Sequence, residues 1–182
     1  MKKDVSVSMS QGNVYATIAA LPPIIILSGI YIWIWGWQQL FIGITTFLRY
    51  PFLTLIGIFV GVILHELIHG LAWKFFGNKP SNVIKYGVAW KVLTPYAHCQ
   101  ETIDVGAYKL GVVMPGVLLG LVPALLGILT SNSLLLTFGL FFTLAAGGDI
   151  LILWLLRNVE AGVLVEDHPT RMGCYVINSD CQ

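Results

Sequence analysis

The sequence predicts a membrane all-α fold of about four transmembrane helices, with a small β-hairpin or re-entrant element on the cytoplasmic side. Of the 182 residues, 57% are hydrophobic and only 10% are charged, whereas an ordinary soluble domain carries about 25% charged residues. Four apolar stretches are each long enough to cross a bilayer, which takes about 20 residues. Between the second and third stretches, apolar and polar residues alternate with the period of a β-strand.

We expect one integral-membrane domain over residues 1–182, because the chain leaves no room for a second sizeable core. The predicted parts are spans at 19–47, 52–76, 107–129 and 134–156, a strand-like loop at 83–93, and a cytoplasmic tail at 157–182. Three cysteines at irregular spacing are too few for a disulfide framework, so Cys99, Cys174 and Cys181 are predicted to be free thiols.

The first span carries a cluster of aromatic residues that is typical of a membrane interface: Tyr31, Trp33, Trp35 and Trp37. Gly36 lies within this cluster, so we expect the span to be broken or strongly tilted there. The polar segment before the span resembles the start of a signal peptide. The apolar stretch is too long for one, however, and no cleavage site of small residues follows it, so the span is predicted to be retained.

The second span contains the stretch His65-Glu66-Leu67-Ile68-His69. Two histidines four apart on a helix project from nearly the same face, about 6 Å apart. This spacing lets two imidazoles hold one metal ion, with Glu66 placed to act on a metal-bound water. Ionisable residues within a span cost several kcal/mol and are rarely kept without a role. The alternative is a polar cluster that ties this helix to a neighbour.

The two histidines continue a row of glycines, Gly57 and Gly61, at the same spacing of four residues. Together they form one stripe along the helix, and glycines on it allow another helix to approach closely. The stripe is therefore predicted to face protein rather than lipid.

The polar region after the second span predicts a short strand. Apolar Ile84, Tyr86, Val88, Trp90 and Val92 alternate with Lys85, Gly87, Ala89 and Lys91, which favours a small hairpin or re-entrant loop. The alternative is an amphipathic interfacial loop without a sheet. Neighbouring residues on a strand point to opposite faces, so His98 and Cys99 are not expected to share a metal, and His98 is predicted to be structural or to border the site. Residues 172–177 could form one more strand.

Two prolines, Pro115 and Pro123, lie within the third span, where they should kink the helix and free backbone carbonyls. Gly116 and Gly120 form a second close-approach pair. In the fourth span, Asp149 follows Gly147 and Gly148, which should let this helix come within carboxylate reach of a metal. Only Asp149 and Glu66 are carboxylates placed within predicted spans.

The cationic residues predict the orientation. Four spans would place both termini and the long polar loop on the same side of the membrane. That side then holds nine of the ten lysines and arginines, and only Arg49 lies on the other side. This asymmetry indicates a multi-pass protein of the cell membrane with both termini in the cytoplasm.

In this orientation His69 and Asp149 lie at a similar depth, about 10 Å below the inner surface. Two histidines and one carboxylate leave a fourth tetrahedral position for water, the pattern of catalytic zinc sites. The alternative for Asp149 is a helix-packing hydrogen bond, or pairing with a histidine without a metal.

These residues resemble the core of the site-2 protease family of intramembrane zinc metalloproteases, and are most similar to a small group of four-span bacterial zincin peptidases. The resemblance implies His65, His69 and Asp149 as Zn²⁺ ligands and Glu66 as the general base. The sequence departs from the family where a Leu-Asp-Gly-like motif is usual, since Gly148 precedes Asp149 and Ile150 follows it. Residues 114–116 also lack the asparagine often found near the substrate.

The predicted function is hydrolysis of peptide bonds in membrane-embedded substrates, with Glu66 activating a zinc-bound water. The expected partners are the lipid bilayer and a membrane protein or peptide substrate. A net charge of +1 gives no indication of nucleic acid, and none is expected. One alternative is a catalytically inactive zinc-binding membrane scaffold. A metal-ion transporter is another, but it should offer polar residues across the whole membrane, whereas the outer halves of these spans are mostly apolar.

Overall fold

A computed structural model describes residues 2–90 and 94–177. Its helices are α1 (Met9–Trp35), α2 (Trp37–Arg49), α3 (Pro51–Phe76), α4 (Val105–Pro115), α5 (Val122–Leu129), α6 (Ser133–Ala145) and α7 (Gly147–Leu155). Its strands are β1 (Lys2–Val7), β2 (Ile84–Ala89), β3 (Thr94–Cys99), β4 (Ile103–Asp104), β5 (Leu164–Asp167) and β6 (Met172–Ile177). A π-helical segment, Gly116–Leu121, joins α4 to α5, and Ser81–Val83 forms a short 3₁₀ turn.

The fold is mostly helical, and three of its helices are long and apolar enough to cross a membrane: α1, α3 and the continuous helix Val105–Leu129. Helices α6 and α7 meet at a bend of 44° and make a fourth span if they are counted as one. Large apolar side chains cover the outside of these helices; Phe52 and Phe59, for example, are 83% and 67% exposed. Such a surface suits contact with lipid.

The first predicted span, 19–47, is broken at Gly36 into two helices, which confirms the expected break. Helix α1 begins at Met9, where the side chain of Ser8 accepts a hydrogen bond from the backbone of Gln11. It ends at Gly36, whose φ of +84° breaks the helix and suits glycine. Hydropathy locates only the apolar part of a helix. The start of α1 is set instead by the polar capping residue Ser8, so the helix begins before the apolar stretch.

The aromatic cluster around Gly36 is partly buried and partly exposed, and its place at a membrane interface stays a prediction. Tyr31 is fully buried and donates a hydrogen bond to the carbonyl of Ser131 at 3.3 Å, and Trp35 donates to the carbonyl of Ile128 at 2.7 Å. Trp33 and Trp37 remain mostly exposed. Two of the four residues therefore tie α1 to the end of α5 and to the loop after it.

The predicted hairpin is present. Strands β2 and β3 pair antiparallel, with Ile84 opposite Cys99 and Ala89 opposite Thr94. The predicted strand residues Lys91 and Val92 lie outside the described part of the chain.

A second, four-stranded sheet has the order β1-β6-β5-β4. Its strand β6 coincides with the predicted strand 172–177, so the polar tail after the last span is a structured part of the fold. The sheet joins distant parts of the chain, since β1 pairs antiparallel with β6 in the register Lys2↔Ile177 to Val7↔Met172. Strands β1, β4 and β5 were not predicted.

Small residues set the distances between the helices. Gly61 of α3 packs on the ring of Phe142, Gly120 lies against Thr143, and Gly139 lies against the backbone of Ala124. Glycine is required at these contacts because a Cβ atom there would overlap the neighbouring helix. The predicted close approach at Gly61 and Gly120 therefore holds, and it brings α6 up to α3 and to the π-helical segment.

Candidate metal centre and its cavity

His65 and His69 occupy one face of α3 and are both buried, at 8% and 6% exposure. Their ring centroids are 4.9 Å apart, as expected for residues one helical turn apart. Gly61 on the same stripe is also buried, whereas Gly57 is only half-buried. The histidine part of the stripe thus faces protein, as predicted.

Asp149, in the first turn of α7, meets both histidines. Its Oδ2 lies 3.1 Å from Nε2 of His65 and its Oδ1 lies 3.4 Å from Nε2 of His69. One ligand atom from each of the three residues falls within 4.8 Å of the other two. A tetrahedral metal with ligand bonds of about 2.0–2.1 Å separates its ligand atoms by about 3.4 Å. The three side chains therefore fit a zinc ion.

The donor atoms are poorly satisfied by protein alone. Oδ2 of Asp149 is buried and has no hydrogen-bond partner among the described residues, because its short approach to His65 lacks hydrogen-bond geometry. Buried polar atoms in proteins nearly always have a partner. A cation between the three side chains would supply one, which is the observation by which these residues fit a metal.

Backbone geometry in α4 orients His69. Its Nδ1 lies 2.9 Å from the carbonyl oxygen of Gly111, so Nδ1 carries the proton and donates it, and Nε2 is left with a lone pair toward Asp149. Gly111 is four residues before Pro115, and proline has no N–H to bond that carbonyl. Pro115 therefore leaves the Gly111 carbonyl free to accept from His69, and this hydrogen bond fixes the tautomer of His69. The contact agrees with the prediction that the prolines of this span free backbone carbonyls.

An aromatic stack continues from His69 away from Asp149. Trp73 stacks on His69 with centroids 5.6 Å apart, and Tyr108 stacks on Trp73 at the same separation. Trp73 also donates from Nε1 to the carbonyl of Tyr108 at 3.2 Å. This stack fills the space between α3 and α4 and limits the movement of the His69 ring.

Glu66 is half-buried and lies outside the group of three possible ligands. Its carboxylate is beside the backbone of Ala97 in β3 and near Tyr86 in β2. Burial and the charge of Glu66 raise the pKa of Tyr86. Glu66 therefore points toward the hairpin and toward open space next to the three side chains.

That space is a cavity of about 770 Å³, within the range of about 300–1,000 Å³ for ligand pockets. Its wall includes the candidate ligands and Glu66, the hairpin segment 95–98, and the segment 167–173 around the turn between β5 and β6. The hairpin and the tail sheet thus enclose the candidate centre from two sides.

A second polar group lies at the same cavity, around Asp167. Its carboxylate accepts hydrogen bonds from the hydroxyl of Tyr108 at 2.6 Å and the backbone N–H of Cys99 at 3.1 Å, and it lies 3.3 Å from Nδ1 of His98. The hydrogen bond to Asp167 raises the pKa of His98. His98 borders the cavity, and Cys99 lies in the apolar core, so the two point apart as predicted.

The described cysteines, Cys99 and Cys174, are both free and buried. Burial raises the pKa of Cys99, and it raises that of Cys174 to about 12. Both are therefore inert thiols rather than nucleophiles. Cys181 lies outside the described residues.

The glycines before Asp149 act differently from the expectation that they bring α7 close to the metal. Gly147 packs against the backbone of Ala16 in α1, and a Cβ atom added at Gly148 would lie 3.7 Å from the sulfur of Met172 in β6. They let α7 approach α1 and the tail sheet instead. The bend between α6 and α7 places Asp149 at the start of a separate helix.

Comparison with known proteins gives one family. The family model described as "Putative zincin peptidase" matches residues 58–164, which is more than half of the chain and includes most of α3, the hairpin and Asp149. No curated protein and no solved structure matches the chain significantly. The matched family implies zinc, for which His65, His69 and Asp149 form a possible site.

Proposed function

Because the chain belongs to the putative zincin peptidase family, we propose that it is an intramembrane zinc metalloprotease of the site-2 protease type. The observation that carries the proposal is the convergence of His65, His69 and Asp149 at distances of 3.1 and 3.4 Å inside a bundle of apolar helices. Its substrates are peptide bonds of membrane-embedded proteins or peptides.

His65, His69 and Asp149 would hold the zinc ion. When bound, zinc lowers the pKa of water from about 15.7 toward about 7 and polarises a carbonyl. Gly111 holds His69 in the tautomer that offers Nε2 to a metal. Such an outer hydrogen bond raises the basicity of a histidine ligand.

Glu66 is the proposed general base. It is next to His65 in sequence, about 100° round the helix, and lines the same cavity. It accepts the proton of the attacking water and passes it to the leaving amine. The carboxylate is free for this role because it is outside the group of possible ligands.

The hairpin is proposed to hold the substrate in an extended form. A helical substrate hides its carbonyls in its own hydrogen bonds, so it must unwind locally to react. Among the described residues, β2 pairs only with β3, which leaves its other edge open to an added strand. The hairpin is beside Glu66, so a strand bound there would run past the candidate centre.

The decisive test is Glu66→Gln, which keeps the shape of the side chain but cannot accept a proton. General-base catalysis contributes about 10²–10⁴-fold, so cleavage of a transmembrane peptide by the purified variant should fall by that factor. Zinc content, measured on the same preparation, should stay near that of the wild type.

Glu101→Gln is the matched control, because Glu101 is exposed and its ion-pair partner within the described chain is Lys79. It should cleave like the wild type. Unchanged cleavage by Glu66→Gln would contradict the mechanism, and a scaffold without activity would show no cleavage by any of the three proteins.

A further inference from the structure

We propose that a cationic cluster on the cavity wall, formed by Lys85, His98 and Arg171, selects a substrate that carries a carboxylate at a fixed distance from the cut. The inference rests on the proposed peptidase function, because it concerns which peptides the same cavity accepts. All three residues line the cavity that contains Glu66.

The three residues come from different elements but are neighbours in space. Lys85 of β2 is directly opposite His98 of β3 in the antiparallel register, so both side chains leave the same face of the hairpin. His98 contacts Asp167 at the end of β5. The next residue, His168, accepts a hydrogen bond from the backbone N–H of Arg171 at 3.0 Å. This chain of contacts brings Arg171 to the same end of the cavity.

The cluster has more positive charge than its own surroundings neutralise. Asp167 is the carboxylate within it, and that carboxylate is already shared by His98, Tyr108 and the backbone of Cys99. Within the described part of the chain, Lys85 forms no ion pair. Among the described residues, the guanidinium of Arg171 binds only the hydroxyl and the carbonyl of Ser6, at 2.8 and 3.3 Å.

Two cations elsewhere in the described chain do have carboxylate partners. Lys2 pairs with Glu166 at 2.6 Å and Lys79 with Glu101 at 3.1 Å. Lys85 and Arg171 have no such partner among the described residues, and both are in the wall of the cavity. Hydrogen bonds between ions are stronger than neutral ones, so a substrate anion is the ligand that this wall favours.

The position on the hairpin indicates a peptide as the source of the anion. A substrate strand added to the open edge of β2 would place some of its side chains on the face that carries Lys85 and His98. An opposite charge at that cross-strand position is favourable, whereas a lysine there is repelled. The predicted substrate feature is thus a Glu or Asp side chain, or a free C-terminal carboxylate, on the extended segment that lies along the hairpin.

The test uses the full-length protein in nanodiscs of phosphatidylcholine. Pairs of peptides differ by Glu or Gln at one position, which is scanned along both sides of the cut, and one further pair differs by a free or amidated C-terminus. At one position we expect kcat/KM to be about fivefold higher for the carboxylate, the factor given by a single favourable ion pair. The position identifies the source as a side chain or a chain end.

Variants then assign the preference to the cluster. Lys85→Met with Arg171→Met should bring the ratio for Glu over Gln close to one, and Lys85→Glu should favour a Lys peptide instead. Arg171 also donates a hydrogen bond to Ser6 of β1, so its replacement removes a structural contact. Lys85→Met alone therefore measures the ratio for Glu over Gln with this contact intact. Lys74→Met with Arg157→Met removes the same charge outside the cavity and should keep the wild-type ratio.

A binding measurement separates this inference from the proposed function. Fluorescent Glu and Gln peptides are titrated into zinc-loaded Glu66→Gln protein, and the Glu peptide should bind about fivefold more tightly. If the wild type cleaves no peptide, the proposed peptidase function is wrong. The ratio of the affinities for the Glu and Gln peptides still tests whether the cluster selects a carboxylate. Equal binding at every position would overturn it. Phosphatidylglycerol binding that depends on Lys85 and Arg171, without a peptide preference, would overturn it as well and assign the cluster to lipid.

Discussion

Pro115 decides how the metal-facing nitrogen of His69 is presented. The proline leaves the carbonyl of Gly111 without its helical partner, and Nδ1 of His69 takes that acceptor. An alanine at this position would offer an N–H that competes for the same carbonyl. The helix would then be more regular, and the imidazole would be less firmly held.

Pro115→Ala should therefore weaken zinc binding by about tenfold or more, the usual cost of losing a hydrogen bond to a metal ligand. The measurement is a competition titration with a zinc chelator. Pro123→Ala, which alters the other proline of the same helix, is the control and should bind zinc like the wild type. His65→Ala, which removes a candidate ligand, sets the lower limit. Equal affinities for Pro115→Ala and wild type would show that the Gly111 contact does not support the metal.

At the level of single residues, sequence spacing and depth along the helices predicted the group that the structure brings together. His65 and His69 follow from a local helical period, and Asp149 from its position in a span that runs in the same direction. Gly111 was missed, although a proline four residues later, within a span, is a usable signal. Asp167 and Arg171 offered no signal, because they reach the cavity only through pairing of strands that are distant in sequence.

Among the elements, His98 and Asp167 connect the hairpin to the tail sheet, since one is on β3 and the other on β5. The pKa of His98 is raised above its ordinary value of 6.5 by Asp167. A raised pKa in the folded state means that the link stabilises the protein fully below pH 6.5 and loses this contribution as the pH rises through the folded-state value.

His98→Gln should accordingly lower the thermal unfolding temperature most below pH 6.5, with a difference from wild type that shrinks at higher pH. The measurement is a series of unfolding curves of detergent-solubilised protein across neutral pH. His168→Gln is the control on the same side of the cavity, because His168 contacts Tyr175 and its own turn rather than a carboxylate. A difference that stays constant with pH would contradict a charged link.

Elements that are determined by one continuous stretch of sequence could be predicted, whereas elements that depend on contacts distant in sequence could not. Helix α3 and the hairpin follow from patterns within one stretch of sequence, and they lie close to the predicted positions. Strand β1 reads Lys-Lys-Asp-Val-Ser-Val, which has little apolar alternation, and it forms because β6 supplies its partner. The bend between α6 and α7 likewise depends on packing of Gly147 against α1, which hydropathy does not report.

For the whole molecule, orientation in the membrane is the main prediction. Nine of the ten lysines and arginines fall on the side expected to be cytoplasmic. A cysteine introduced as Lys79→Cys should react with a membrane-impermeant thiol reagent only after the cells are opened. Arg49→Cys is the control and should react in intact cells. Labelling of position 79 from outside intact cells would reverse the predicted topology.

The pairing of β1 with β6 also sets the order in which the protein can assemble. Strand β1 is translated first and waits for a partner about 170 residues later, roughly 10–30 s at common rates of synthesis. The turn that precedes β6 supplies the cavity segment 167–173. The wall of the cavity is therefore completed last, after α3 and its histidines are already in place. A chain whose synthesis has not reached β6 therefore has the histidines of α3 but lacks this segment of the cavity wall.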